Sequence, residues 1–179
     1  PPASVQGGAS QAVKPRILVI DDEAAIRDSL RMILEYEDYR FVGASSGQEG
    51  IALCQRERPD LVLLDIKMPG MDGMEVLRSL RASDDTLPVV MISGHGTTAT
   101  AVDAIKSGAA DFLEKPLSSE RVIVTLRNVL TQSELRTENR ELKLAMESKY
   151  EIVGQSPALK NVLDSVRKAA PTNATVLLL

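Results

Sequence analysis

Short apolar runs alternate along this chain with longer amphipathic ones. Ile17 to Ile20, Phe41 to Ala44, Leu61 to Leu64, Val89 to Ile92 and Asp111 to Leu113 have the length and content of strands. Between them Ile26, Leu30, Ile33 and Leu34 recur at helical spacing, as do Val76, Leu77 and Leu80, and Gly108 closes the stretch after Ala101 and Ile105. Strands alternating with helices predict βαβ crossovers and a five-stranded parallel sheet covered on both faces. The expectation is a doubly wound α/β domain ending near residue 131.

Beyond Pro116 the pattern changes. From Ser118 to about Ser148 there is no Pro or Gly, and Leu, Glu, Arg and Lys dominate, which predicts one long helix. Its outer half, residues 132–149, places Leu135, Asn139, Leu142 and Met146 at alternating steps of four and three, the period of a coiled-coil seam. Asn139 would take an a position and favour one register, and Glu138 and Lys143 are placed to pair across a parallel homodimer. A solvated charged helix has the same composition, and the seam is only about two heptads long.

The flanking segments read differently. Residues 1–15 are rich in Pro, Gly, Ser and Gln and predict a disordered tail. At the other end Gly154, Ser156 and Pro157 start a new unit, Leu159 to Ala169 look helical, and Thr175 to Leu179 look like a strand. A strand without the elements that should follow it predicts that the protein continues past residue 179.

Composition narrows the classes of function. The 179 residues are 44% hydrophobic and 26% charged, as for a soluble globular protein. A net charge of −4 gives no basic surface for a phosphate backbone, so these residues are not expected to contact DNA. No apolar run is long enough to span a bilayer, and the lone Cys54 sits in an apolar helical stretch without a disulfide partner, which predicts a cytoplasmic protein with no membrane contact.

In an open parallel sheet, functional groups gather at the carboxyl ends of the strands. Asp21 and Asp22 follow the first predicted strand, Asp65 the third, Ser93 the fourth and Lys115 the fifth, all on one rim. Alone each is weak, since an acid after a strand is often a helix cap, and Asp22 could cap the helix through Ile26. Together they are less accidental. Three acids on one rim repel and call for a cation, and oxygen ligands suit Mg2+. Asp65, between a buried run and the turn at Pro69-Gly70, is the candidate nucleophile toward phosphorus, with Lys115 and the Ser93 hydroxyl to hold phosphoryl oxygens.

The order Asp21-Asp22, Asp65 within DIKMPGMDG, Ser93, then Lys115-Pro116 resembles the receiver domain of two-component response regulators across residues 16–131. The resemblance implies a flavodoxin-like fold with strand order 2-1-3-4-5 and a cis peptide before Pro116. It implies phosphoryl transfer to Asp65 from a sensor histidine kinase, and Mg2+ held by Asp21, Asp22, Asp65 and the Lys67 carbonyl. It also implies a switch through Ser93 and an aromatic side chain, here Phe112 where Tyr is commoner, so a ring hydroxyl is lacking. His95 follows Ser93 in GHGT, but with no second histidine or nearby cysteine it reads as a loop residue.

With the long linker, the segment IVGQSPALKNVLDSVRKAAPTNATVLLL resembles the opening of the AAA+ ATPase domain of NtrC-type activators, particularly the NtrX-like branch, so residues 150–179 are expected to be a truncated AAA+ fragment. The full-length protein would then engage ATP, sigma-54 RNA polymerase and DNA. No GxxxxGK[ST] pattern is present, so this stretch is not expected to be an enzyme toward external substrates. An aspartyl-phosphate phosphatase or phosphotransferase would usually carry a second Asp two residues after the nucleophile, where Lys67 stands. A flavin carrier would face three repelling acids with few aromatics, 3% and no Trp. A phosphorylation-independent dimer platform would not need the intact set of Asp22, Asp65, Ser93 and Lys115.

Overall fold

The computed structural model describes residues 14–94, 98–149, 156, 161, 162, 164 and 166. Five strands, β1 (Arg16–Ile20), β2 (Arg40–Ala44), β3 (Leu61–Asp65), β4 (Val89–Ser93) and β5 (Asp111–Glu114), alternate with α1 (Ala24–Tyr36), α2 (Gly47–Glu57), α3 (Gly73–Ser83), α4 (Thr98–Lys106) and α5 (Ser119–Lys149). All neighbouring strands are parallel, in the order β2-β1-β3-β4-β5, as the sequence resemblance implied. The chain separates into two compact units, Pro1–Thr137 and Glu138–Leu179.

Period-two alternation in the strands divides the core. Ile17 and Val19 of β1, Leu61 and Leu63 of β3, and Val90 and Ile92 of β4 pack with Leu30 and Leu34 of α1 and Val122, Leu126 and Val129 of α5. Their neighbours Leu18, Ile20, Val62, Leu64, Val89 and Met91 pack on the other face with Leu53 of α2, Val76, Leu77 and Leu80 of α3, and Ala104 of α4. Every residue of β3 and β4 is buried, which fits central strands of a doubly covered sheet.

Three strands run one residue past their expected ends: β3 to Asp65, β4 to Ser93 and β5 to Glu114, because the ladder continues through Asp65↔Ile92 and Ser93↔Glu114. Two other expectations need amendment. Asp22 does not cap α1; the cap position is Glu23, which makes no side-chain cap bond. Cys54, in the stretch read as apolar and helical, is only half-buried; burial, helped by the charge of Asp84, still pushes its thiol pKa up to about 11.

Local chemistry sets the helix starts at the functional rim. Asp72 and Glu75 form a reciprocal capping box on α3: the Asp72 carboxylate accepts from the Glu75 N–H at 2.9 Å and the Glu75 carboxylate from the Asp72 N–H at 3.2 Å. Gly73, the first residue of α3, lies so close to the strand end that a Cβ there would come within 2.1 Å of the Asp65 carbonyl oxygen. Its N–H donates to the Ile66 carbonyl at 2.8 Å. α3 therefore grips the end of β3 through a contact that admits no side chain.

α5 begins as a core helix and ends as an exposed one. After Val129 and Leu130 the described side chains are almost all exposed, including Leu135 (60%), Asn139 and Leu142 (58%). The side chain of Met146 lies outside the described residues, as do His95, the tail before Lys14, and most of the expected fragment beyond residue 150. Within that fragment Asn161, Val162, Asp164 and Val166 are helical, inside the stretch read as a helix.

Gly73→Ala is expected to lower folding stability by about 1–3 kcal/mol through forced displacement of the α3 start, measured by urea denaturation.

Candidate functional site

The carboxyl ends of β1, β3 and β5 bring three groups together. Asp21 follows β1 and is completely buried, Asp65 ends β3 at 4% exposure, and Lys115 follows β5. The Lys115 ammonium lies 3.0 Å from Asp21 Oδ2 and 3.0 Å from Asp65 Oδ1. A third acid, Glu23, reaches the same nitrogen at 3.0 Å from the solvent side.

Main-chain bonds hold this geometry. The Lys115 N–H donates to the Ser93 carbonyl at 2.8 Å, tying the exit of β5 to the end of β4, and the Lys115-Pro116 peptide is cis. The Asp21 N–H donates to the Ala44 carbonyl at 3.2 Å, and the Glu23 N–H to Asp21 Oδ1 at 2.8 Å. Arg27 of α1 donates to the carbonyls of Asp21 (2.7 Å) and Asp22 (3.0 Å), so one guanidinium braces the loop that carries both acids.

Electrostatics explain why the acids tolerate burial. Desolvation raises the pKa of Asp65 above the ordinary aspartate value and the charge of Asp21 adds to it; the hydrogen bond and charge of Lys115, and the Lys67 N–H, pull the other way without cancelling the rise. Burial works against the charge of Lys115 too. The carboxylates of Glu23, Asp21 and Asp65 outweigh it and hold the ammonium above the usual lysine value. Lys115 is thus a fixed positive charge.

Asp21 Oδ2 bears on metal binding. It is buried and has no hydrogen bond of acceptable alignment, only the ion pair with Lys115. A buried, under-satisfied carboxylate oxygen beside a second carboxylate is a ligand set for a hard cation. Among the described residues no three acidic, His or Cys side chains already surround a common cation position; the ammonium lies between the acids instead. The oxygen donors fit Mg2+ in kind.

Of the residues singled out from sequence, the structure brings Asp21, Asp65 and Lys115 into contact and sets buried Ser93 on the same rim, one position past the residue paired with Asp65. Asp22 is exposed beside them, and Lys67 is exposed with its N–H turned to the Asp65 carboxylate. Phe112 is half-buried in β5, packed against the core on the α2–α4 side. Glu23 and Arg27 were not foreseen. An acid directly after Asp21-Asp22 was the one available signal for Glu23.

Comparison with known proteins agrees with this arrangement. Residues 17–127 match the response regulator receiver domain family. The chain is 36% identical over 168 residues to the C4-dicarboxylate transport transcriptional regulatory protein DctD of Pseudomonas aeruginosa, covering 92% of this chain and 36% of that protein. It is 39% identical over 164 residues to the nitrogen assimilation regulatory protein NtrX of Azorhizobium caulinodans, covering 90% of this chain and again 36% of the relative. Among solved structures, NtrX from Brucella abortus in complex with ADP superposes with a TM-score of 0.72 at 37% identity, over 90% of this chain and 36% of that one. The chain thus spans about a third of the length of these relatives. Family match, strand order and strand-end chemistry agree: the chain belongs to the response regulator receiver family, and its relatives are regulators of the NtrC type.

Proposed function

We propose that Asp65 accepts a phosphoryl group from a phosphohistidine of a sensor kinase and that the modified receiver controls dimerisation and a downstream AAA+ activator module. The observation that carries this reading is the Lys115 ammonium held 3.0 Å from Asp65 at a strand end buried from water. In transfer, an Asp65 carboxylate oxygen attacks phosphorus, the P–N bond breaks, and the departing imidazole keeps the bonding pair and takes a proton. Lys115 supplies a fixed positive charge for a phosphoryl oxygen, and the Ser93 hydroxyl is the donor for a second. Burial lowers the local dielectric and strengthens both interactions.

Asp21, Asp22, Asp65 and the Lys67 carbonyl would hold Mg2+, directly or through water. Bound there, the ion neutralises charge on the carboxylates and the phosphoryl oxygens. The Ser93–Phe112 pair is the candidate switch: Ser93 adjoins the acceptor, and Phe112 sits on the neighbouring strand in register with Met91. Lacking a ring hydroxyl, Phe112 would switch by packing alone.

The output follows from α5. Its start packs on the sheet through Val122, Leu126 and Val129, and its outer half exposes Leu135 and Leu142 at seam positions, a surface suited to a second copy of the chain. ATP, sigma-54 RNA polymerase and DNA would be engaged by the longer protein. The chemistry assigned to this chain is its own phosphorylation rather than turnover of an external substrate, and no described helix is long and apolar enough to cross a membrane, which accords with work in the cytoplasm.

Acetyl phosphate with Mg2+ should add one labile phosphoryl mass to the wild type and none to Asp65→Ala, read by intact-mass spectrometry; equal labelling of both proteins would sink the assignment. The raised pKa of Asp65 gives a second expectation. The native state binds this proton more tightly than the unfolded chain does, so the contribution of Asp65 to stability is fully present below the unfolded value and lost as pH rises through the folded value. Asp65→Asn should therefore melt higher than wild type at neutral pH, with the difference vanishing on acidification through the carboxyl range. Replacing Leu135 and Leu142 together by Ser should shift the population toward monomer in sedimentation velocity while leaving the melting of the receiver unchanged.

A further inference from the structure

Glu23 occupies the cap position of α1, yet its side chain caps nothing. It turns instead to Lys115, 92 residues further along the chain, with a hydrogen bond of 3.0 Å. Its main chain is secured independently, because the Glu23 N–H donates to Asp21 Oδ1 at 2.8 Å.

A lysine ammonium has three protons to donate. Lys115 faces three carboxylates, all at 3.0 Å, so a phosphoryl oxygen reaches the ammonium only by displacing one of them from its side. The three differ in what their loss costs. The side chains of Asp21 and Asp65 are 0% and 5% exposed, and stripping the cation from either strands a buried charge. The side chain of Glu23 is 59% exposed and returns to water at small cost.

Accepting the reading of Asp65 as the phosphoacceptor, we propose that Glu23 is a positioning residue: it occupies the Lys115 ammonium in the resting protein and is the contact exchanged when a phosphoryl oxygen arrives. Its negative charge also repels the incoming phosphoryl oxygens. Both effects act in one direction. Glu23 slows phosphoryl uptake, and it does so through Lys115 rather than by touching phosphorus.

The test compares wild type, Glu23→Gln and Glu23→Asp over time with acetyl phosphate and Mg2+, at low and high salt, with thermal melting of each. Glu23→Gln should take up phosphoryl group on the order of two- to fivefold faster, the size of one exposed ion pair. Its advantage should shrink at high salt, where the contact is screened. Glu23→Asp, which keeps the charge on a shorter arm, should fall between the two. Melting should be unchanged, separating this role from a structural one. Wild type labelled on Asp65 with Glu23→Gln equal or slower, or with a faster rate insensitive to salt, overturns the role of Glu23 and leaves the phosphoacceptor standing. No labelling of wild type on Asp65 overturns both.

Discussion

One ammonium group makes the functional rim possible. Two carboxylates buried at adjacent strand ends would each carry a desolvation cost of several kcal/mol if left without a cation, and their mutual repulsion would add to it. Lys115, itself only 13% exposed, lies between them and keeps both in the protein interior. The rest of the rim serves to keep that nitrogen where it is: the Lys115 N–H on the end of β4, Arg27 on the carbonyls of the acid loop, and α3 pressed against β3 at Gly73.

The same arrangement links resting stability to reactivity. In the proposed transfer, an Asp65 oxygen bonded to phosphorus would no longer offer a full carboxylate to Lys115, while the phosphoryl group would bring new negative charge within reach. Charge would be rearranged around a cation that stays protonated, so the proposed event would alter distances more than protonation states. A shift of Lys115 would pull on β4 and β5 through its backbone bond to Ser93, a physical connection from the proposed acceptor to the neighbouring strands.

Much of this was legible in the residues themselves, for a definite reason. Where an apolar run stops, a strand ends, and the parallel topology sends all those ends to one side; Asp21, Asp65 and Lys115 were therefore predicted to meet from position alone. Strand ends were off by a residue because Asp65 and Ser93 are polar and yet complete the ladders. Glu23 was not visible because its contact depends on a side-chain direction across 92 residues of sequence. The demand for glycine at position 73 was equally hidden, since it arises from the approach of α3 to β3 and not from a turn or an unusual dihedral. Asp22 looked like a cap because acids often are; the helix begins one residue later than that reading required.

The sheet also acts as a partition. Odd and even positions of β1, β3 and β4 feed two apolar clusters with no shared side chains, one under α1 and α5 and the other under α2, α3 and α4. Volume changes on opposite sides meet only through the stiff backbone between them, so their energetic effects should combine nearly additively. Sequence drift can then remodel the helices of one side while the other keeps its packing. A fold divided in this way can diversify what it signals to without rebuilding where it is charged.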